Sequence, residues 1–269
     1  MATTPATPIL VLGTGNRCGS TLIQRLLSSH PDVLIWGEHG GQLSQLLAAG
    51  AGIHDWSNRL GSRARAMFAD GGYQSFMANL LPENKHVDEA LRAFLLALFA
   101  EPAAALGRPI WGLKEIRYGL AEATELSRLF PDLRVVFVAR NPRDILRSLD
   151  DWERDAGWWD RSETEGAMRL WAEVAGSFLD TDRADAPPVL RLRYEDVVRD
   201  PAGTSASIAA HTGLDATLFD MEVFGRRIVS GQPRADRVLR DWAELPSSMR
   251  QLLDSDDMRR LAAAYGYEV

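Results

Sequence analysis

The chain has a single cysteine, Cys18, so no disulfide can form within it. It has no apolar run near the ~18 residues that a membrane-spanning helix needs. The longest candidate, Ala93 to Ala100, is far shorter. Excess positive charge is also missing: 30 basic against 37 acidic residues leave a net charge of −7. That argues against a general nucleic-acid coat, which is usually basic over its whole domain, yet it leaves room for a local basic pocket. Among the basic residues lysine is scarce and arginine dominates. The histidines at 30, 54, 86 and 211 are dispersed, and there is no H-x-x-x-H pair or Cys/His cluster, so no metal site is expected. The opening residues lack a basic stretch followed by an apolar one and do not read as a secretory signal.

What is there is ordinary in bulk. Hydrophobic residues make up 46% and charged residues 25% of 269, enough for a sizeable core without metal or disulfide support. No repeat, low-complexity tract or long linker divides the chain, so a single cytoplasmic domain over residues 1–269 is expected.

Short apolar runs alternate with helical patterns. Ile9 to Leu12, entered from Pro8 and left at Gly13, has the length and punctuation of a buried strand. Arg134 to Ala139 is the clearest strand, Val189 to Tyr194 a third, and Ile110 to Leu113 a weaker fourth. Helical spacing runs over Ser20–Ser29, Asp88–Ala100, Leu120–Leu129, Asp144–Trp152, Glu163–Leu179, Ala202–Thr212 and Ser247–Tyr265. The stretches Ala48–Ile53 and Arg183–Pro188 look like loops. Strands separated by helices imply βαβ units, hence an α/β fold of three layers with a central parallel sheet flanked by helices. In such sheets ligands sit beyond the carboxyl ends of the strands. Residues from about 40 to 108 are helical without a strand signal, and an insertion over the site is expected there.

The first strand runs directly into Gly13-Thr14-Gly15-Asn16-Arg17-Cys18-Gly19-Ser20-Thr21 and then a helix. Glycines let the backbone approach a ligand closely. Unpaired N–H groups at the helix start make an anion site. Arg17 adds a fixed charge, and Ser20 and Thr21 add hydroxyls; the plain alternative is a glycine-rich connection with Ser20 as helix cap. The nucleotide-hydrolysing motif G-x-x-x-x-G-K-[ST] would need lysine at Ser20 and glycine at Thr14. The dinucleotide motif G-x-G-x-x-G fails at Cys18 alone.

Behind the 134–139 strand comes Arg140-Asn141-Pro142-Arg143-Asp144-Ile145-Leu146-Arg147-Ser148. A charge at the end of a buried strand is costly without an anionic partner. The planar fork of Arg140 with the Ser148 hydroxyl suits phosphate oxygens. Arg143 and Arg147 are expected in surface pairs with Asp144 or Asp150.

Arg17-Cys18-Gly19-Ser20-Thr21 resembles the R-S-G-T-T or K-S-G-T-T element of sulfotransferases, with Cys18 replacing the usual serine as small filler. The continuation Ser29-His30-Pro31-Asp32-Val33, then Gly37-Glu38, is similar to the carbohydrate and tyrosylprotein branches. Arg140 and Ser148 resemble the R-[DN]-P-R-D-x-x-x-S element. The resemblance implies an enzyme with a P-loop-like fold. It would move a sulfuryl group from the co-substrate 3′-phosphoadenosine 5′-phosphosulfate to a hydroxyl or amine of a small-molecule, sugar or natural-product acceptor. Gly15, Asn16, Arg17, Cys18, Gly19, Ser20 and Thr21 would hold the 5′-phosphosulfate, and Arg140 with Ser148 the 3′-phosphate. Tyr194, in a Y-E-D element, and Ser230 and Arg234, in a polar loop, would lie near the nucleotide.

Arg17 and Lys114 would stabilise charge on the bridging and leaving oxygens; for Lys114 the alternative is a surface cluster with Glu115. Glu38 is a candidate base, through a raised carboxyl pKa beside Trp36, and its spacing from Arg17 is similar to that of the tyrosylprotein base. His39 is the other candidate. Trp152, Trp158 and Trp159 with Asp155 and Asp160 would line an acceptor pocket or serve as core, with Trp152 expected in the core. A P-loop kinase or NTPase, needing Mg²⁺, and a non-catalytic nucleotide-binding protein are the competing functions.

Overall fold

The computed structural model describes residues 7–156, 159–181, 183–226 and 241–269. Five parallel strands form the centre: β1 (Ile9–Gly13), β2 (Val33–Trp36), β3 (Ile110–Glu115), β4 (Arg134–Ala139) and β5 (Val189–Arg193). Their order across the sheet is β2-β3-β1-β4-β5. Along β1 and β4 the side chains alternate between two cores, as the twofold repeat of a strand requires. Leu10, Leu12, Val135 and Phe137 face one core, while Ile9, Val11, Val136 and Val138 face the other.

The second core is covered by α1 (Ser20–Ser29), through Leu22, Ile23, Leu26 and Leu27, and by residues further along the chain. Between β2 and β3 come α2 (Leu43–Trp56), α3 (Ser62–Gly71), α4 (Asn84–Leu95) and α5 (Glu101–Ala105), joined in part by π-helical turns. Leu43, Leu47, Leu91 and Leu95 of this segment pack into the first core. They meet α6 (Leu120–Leu129), which begins and ends where its periodicity predicts. Then come α7 (Pro142–Ala156), α8 (Thr164–Ser177), α9 (Tyr194–Arg199), α10 (Pro201–Thr212), α11 (Ser247–Gln251) and α12 (Asp256–Ala264). This is the three-layer α/β architecture expected, with the ends of β1 and β4 side by side at its centre.

Three readings need correction. β2 was not expected; its run Val-Leu-Ile-Trp is only four residues long. Residues 48–53 are not a loop but the middle of α2. Gly50, within that stretch, lies where a Cβ would be driven into Leu91, so it records the close approach of α2 to α4. The single helix expected over 247–265 is two, because Ser255 accepts a hydrogen bond from the Met258 N–H at 3.2 Å and starts α12 afresh.

Candidate active site

The loop after β1 and the start of α1 form one wall of a cleft at the carboxyl edge of the sheet. Gly15, Asn16, Arg17, Gly19, Ser20, Thr21, Glu38, Ile116, Arg140, Trp152 and Tyr194 line it. Gly19 has φ +100° and precedes α1 with no side-chain cap. A Cβ there would enter the Tyr194 ring, so glycine is required both by conformation and by space. Ser20 is the first helical residue and not the cap; both it and Thr21 line the cleft. Cys18 is buried, and burial pushes its thiol up, which leaves it neutral and consistent with a filler role.

Arg17 has φ +62°, the only non-glycine residue with a positive φ among the described residues. Such a conformation is uncommon outside glycine and is held only where the surroundings fix it. Here they do: its Nε donates to Ser148 Oγ at 3.0 Å, its guanidinium lies 4.0 Å from the centre of the Trp152 ring, and its carbonyl accepts from Arg140 Nη1 at 2.8 Å. Arg140 stacks over Tyr194 at 4.5 Å. Among the described residues it forms no ion pair with a carboxylate, and its Nε is buried without a hydrogen-bond partner.

The pairing within this wall differs from the expected one. Ser148 is buried and accepts a hydrogen bond from Arg17, a contact the sequence did not suggest. Trp152, one helical turn beyond Ser148 on α7, lines the cleft instead of the core. Arg147 does pair with Asp144 at 2.9 Å, but Arg143 stacks 5.2 Å from the Trp242 ring centre and among the described residues has no carboxylate partner.

The opposite wall is a network of charges. Lys114, 5% exposed at the end of β3, is not in a surface cluster. Its Nζ bonds Glu38 Oε1. Arg117 Nη1 reaches Glu38 Oε2 at 3.0 Å and Glu115 Oε1 at 2.8 Å. Glu38 therefore lies between two cations and not in an apolar niche beside Trp36, whose indole N–H is spent on the Phe99 carbonyl at 2.9 Å.

Glu115 is fully buried. Burial alone would push its carboxyl up, but hydrogen bonds from the Ile116 and Gly41 N–H groups and from Arg117 outweigh that and hold it below the usual range. His39 sits 3.3 Å from Glu115 through Nδ1 and does not line the cleft. Burial pushes its imidazole down, against the attraction of Glu115.

The structure thus brings Arg17, Ser20, Thr21, Glu38, Arg140 and Tyr194 to one opening, with Lys114 and Ser148 directly behind it. Trp159 packs toward the first core and donates to Thr164 Oγ1 at 3.1 Å. Asp160 bonds Ser162. Trp158, Ser230 and Arg234 lie outside the described residues, as does the Asp155 side chain. Sequence reasoning missed Arg117 and Glu115 as members of the network. The spacing of Arg117, three residues past Lys114 in the same post-strand segment, was the available signal. None of the lining residues comes from 42–105. Among the described residues no group of three or more His, Cys, Asp or Glu is placed to hold a metal ion, and no helix is long and apolar enough to cross a membrane.

A family model described as the sulfotransferase family matches residues 8–218. The chain belongs to this family. Among curated relatives, it is 23% identical over 226 residues to protein-tyrosine sulfotransferase 1 of Danio rerio, covering 81% of this chain and 58% of that protein. With the Homo sapiens protein of the same name it shares 25% identity over 168 residues, covering 61% and 40%. This sulfotransferase chain therefore spans about half the length of those relatives. Two solved structures share its fold. The sulfotransferase domain from the Synechococcus PCC 7002 olefin synthase gives a TM-score of 0.53 at 19% identity, covering 99% of this chain and 97% of that one. The sulfotransferase domain from the curacin biosynthetic pathway gives 0.53 at 15%, covering 98% and 99%.

Proposed function

We propose that the chain transfers a sulfuryl group from 3′-phosphoadenosine 5′-phosphosulfate to a hydroxyl or amine of a small-molecule, sugar or natural-product acceptor, in a cytoplasmic setting. One observation carries the reading: Arg17 and Arg140, from loops after adjacent strands, enter the same cleft as the Ser20–Thr21 helix start. The donor set fits such a co-substrate. Positive-φ glycines keep Cβ atoms out of the loop, Ser20 and Thr21 at the helix start line the cleft, and among the described residues the Arg140 guanidinium has no carboxylate to neutralise it.

When bound, the co-substrate supplies an activated sulfuryl group. In this reading the 15–21 loop holds its sulfated end, and Arg140 with Ser148 its other phosphate, beside Tyr194. Ser230 and Arg234 belong to the proposal through the family resemblance alone. Glu38 is the base, since it faces the cleft while His39 lies behind it with its Nδ1 turned to Glu115. The acceptor's proton passes to a Glu38 oxygen. Taking up that proton weakens the Glu38 pairs with Lys114 and Arg117, so the Lys114 ammonium becomes available to negative charge in the cleft at the moment such charge grows. Arg17 keeps its proton throughout and acts only as a fixed charge.

The test is ligand stabilisation followed by assay. Adenosine 3′,5′-bisphosphate at about 100 times its Kd should add about 2.7 kcal/mol to stability, and ATP with Mg²⁺ should not. Stabilisation by ATP–Mg²⁺ alone would favour the kinase reading and overturn this one. Bisphosphate binding without transfer of labelled sulfate to any acceptor in a cell extract would leave a binding protein in place of an enzyme.

A further inference from the structure

A second concavity, of about 300 Å³, lies apart from the cleft, between the first turn of α7 and the C-terminal helices. Among the described residues Arg143, Trp242, Ser247, Arg250, Gln251 and Asp254 line it, with Val269. It shares no lining residue with the Arg17–Arg140 cleft.

Its two arginines are unusual in this molecule. Most described arginines engage a carboxylate, hydroxyl or carbonyl; Arg169, for example, pairs with Glu165, Arg191 with Thr181 and Arg108 with the His30 carbonyl. Among the described residues neither Arg143 nor Arg250 makes a side-chain hydrogen bond or an ion pair. The Nε of each is buried and without a partner. Buried polar groups left unsatisfied are rare and call for an unseen water or ion. Two like charges that line one hollow also repel each other unless a counter-charge lies between them.

The rest of the lining suits that counter-charge. Trp242 supports Arg143 from its face, at 5.2 Å from ring centre to guanidinium carbon, which leaves the edge of the fork for a ligand. Ser247 and Gln251 add a hydroxyl and an amide as neutral donors. Asp254 is the acidic side chain in the lining, and Arg259 Nη2 engages it at 3.4 Å. The hollow is larger than one oxyanion, so it admits an organic group attached to it.

We propose that this hollow is a second binding site, taking a small molecule that carries a phosphate or sulfate group between Arg143 and Arg250. It goes beyond the proposed transfer reaction and does not depend on it.

The test uses the full chain. Thermal stability is titrated with sodium sulfate, sodium phosphate, phenyl phosphate and phenyl sulfate, with sodium chloride holding ionic strength constant. Each tetrahedral anion should stabilise the wild-type chain beyond chloride. In Arg250→Gln and Arg143→Gln the apparent affinity should weaken at least tenfold, while stabilisation by adenosine 3′,5′-bisphosphate stays unchanged and reports an intact fold. Arg140→Ala should do the reverse. A stronger response to the phenyl esters assigns the site to an organic ligand, and equal responses assign it to the free anion. Wild-type crystals soaked in selenate should give an anomalous peak between Arg143 and Arg250, a measurement that stands even if the variants fail to fold. Selenate peaks confined to the Arg17–Arg140 cleft, or an Arg250→Gln titration identical to wild type, would overturn the proposal.

Discussion

The two walls of the cleft are built on opposite electrostatic plans. On one, Arg17 and Arg140 are positioned by a hydroxyl, a backbone carbonyl and two aromatic rings. On the other, Lys114 and Arg117 are matched against Glu38 and Glu115, two cations to two anions. A group such as Arg140, which among the described residues has a carbonyl and a ring beside it and no carboxylate, keeps its charge available to a ligand. Groups held by opposite charges stay silent until a proton or a ligand disturbs the balance. The first wall is therefore suited to binding anions, the second to responding when a proton moves.

The sharpest way to break this contrast is at Glu38. Replacement Glu38→Gln keeps the shape and removes the base, so transfer should fall by about 10²–10⁴-fold, measured with labelled donor, while bisphosphate affinity changes little. Full activity in this variant removes Glu38 as the base. Next in size, Arg17→Ala should lower turnover by about 10²–10³-fold with an unchanged circular dichroism spectrum. Arg140→Ala should act on binding instead, weakening adenosine 3′,5′-bisphosphate by about 10–100-fold in calorimetry, as loss of a charged hydrogen bond implies. A turnover defect without a binding defect would show that the two arginines do not divide the work in this way. Trp152→Ala should cost about fivefold in turnover through a looser Arg17, as a cation–π contact worth about 1 kcal/mol implies, and Trp152→Phe should restore most of it.

The smallest effect concerns pH. His39 is held below its ordinary value of 6.5 by burial, so on acidification the unfolded chain takes up a proton before the folded one does. Stability is then whole above that value and declines as pH falls below it. His211, also pushed down by burial, adds to the same decline. Glu115 is held below its ordinary 4.5, so its contribution is present above 4.5 and is lost as pH falls through its lower, folded value. Melting temperatures across pH 3–8 should drop in two stages, and His39→Gln should shrink the upper stage alone.

Much of this design was legible because it is local in the chain. The 13–21 loop carries its glycines, cation and hydroxyls within nine residues, and β1, β4 and α6 stand out by pattern. What was hidden depends on neighbours far apart in sequence. Trp152 looked like core because its partner, Arg17, is reached only when α7 folds back beside β1. Ser148 was matched to Arg140 by spacing, yet the three-dimensional route brings Arg17 to it first. Glu38 was expected to lie beside Trp36, whereas the segment after β2 delivers it to Lys114 and Arg117. β2 itself escaped because four residues give too short a pattern to separate strand from loop.

The strand order has a metric consequence. Lys114, the β1 loop, Arg140 and Tyr194 stand on four neighbouring strands, β3-β1-β4-β5. With about 4.8 Å between strands, the outermost two are about 14 Å apart. The sheet edge thus works as a ruler, graduated by its own backbone pairing. The backbone fixes where each of these residues is anchored, and side-chain length, as where the Tyr194 ring reaches Gly19, decides how close their groups come.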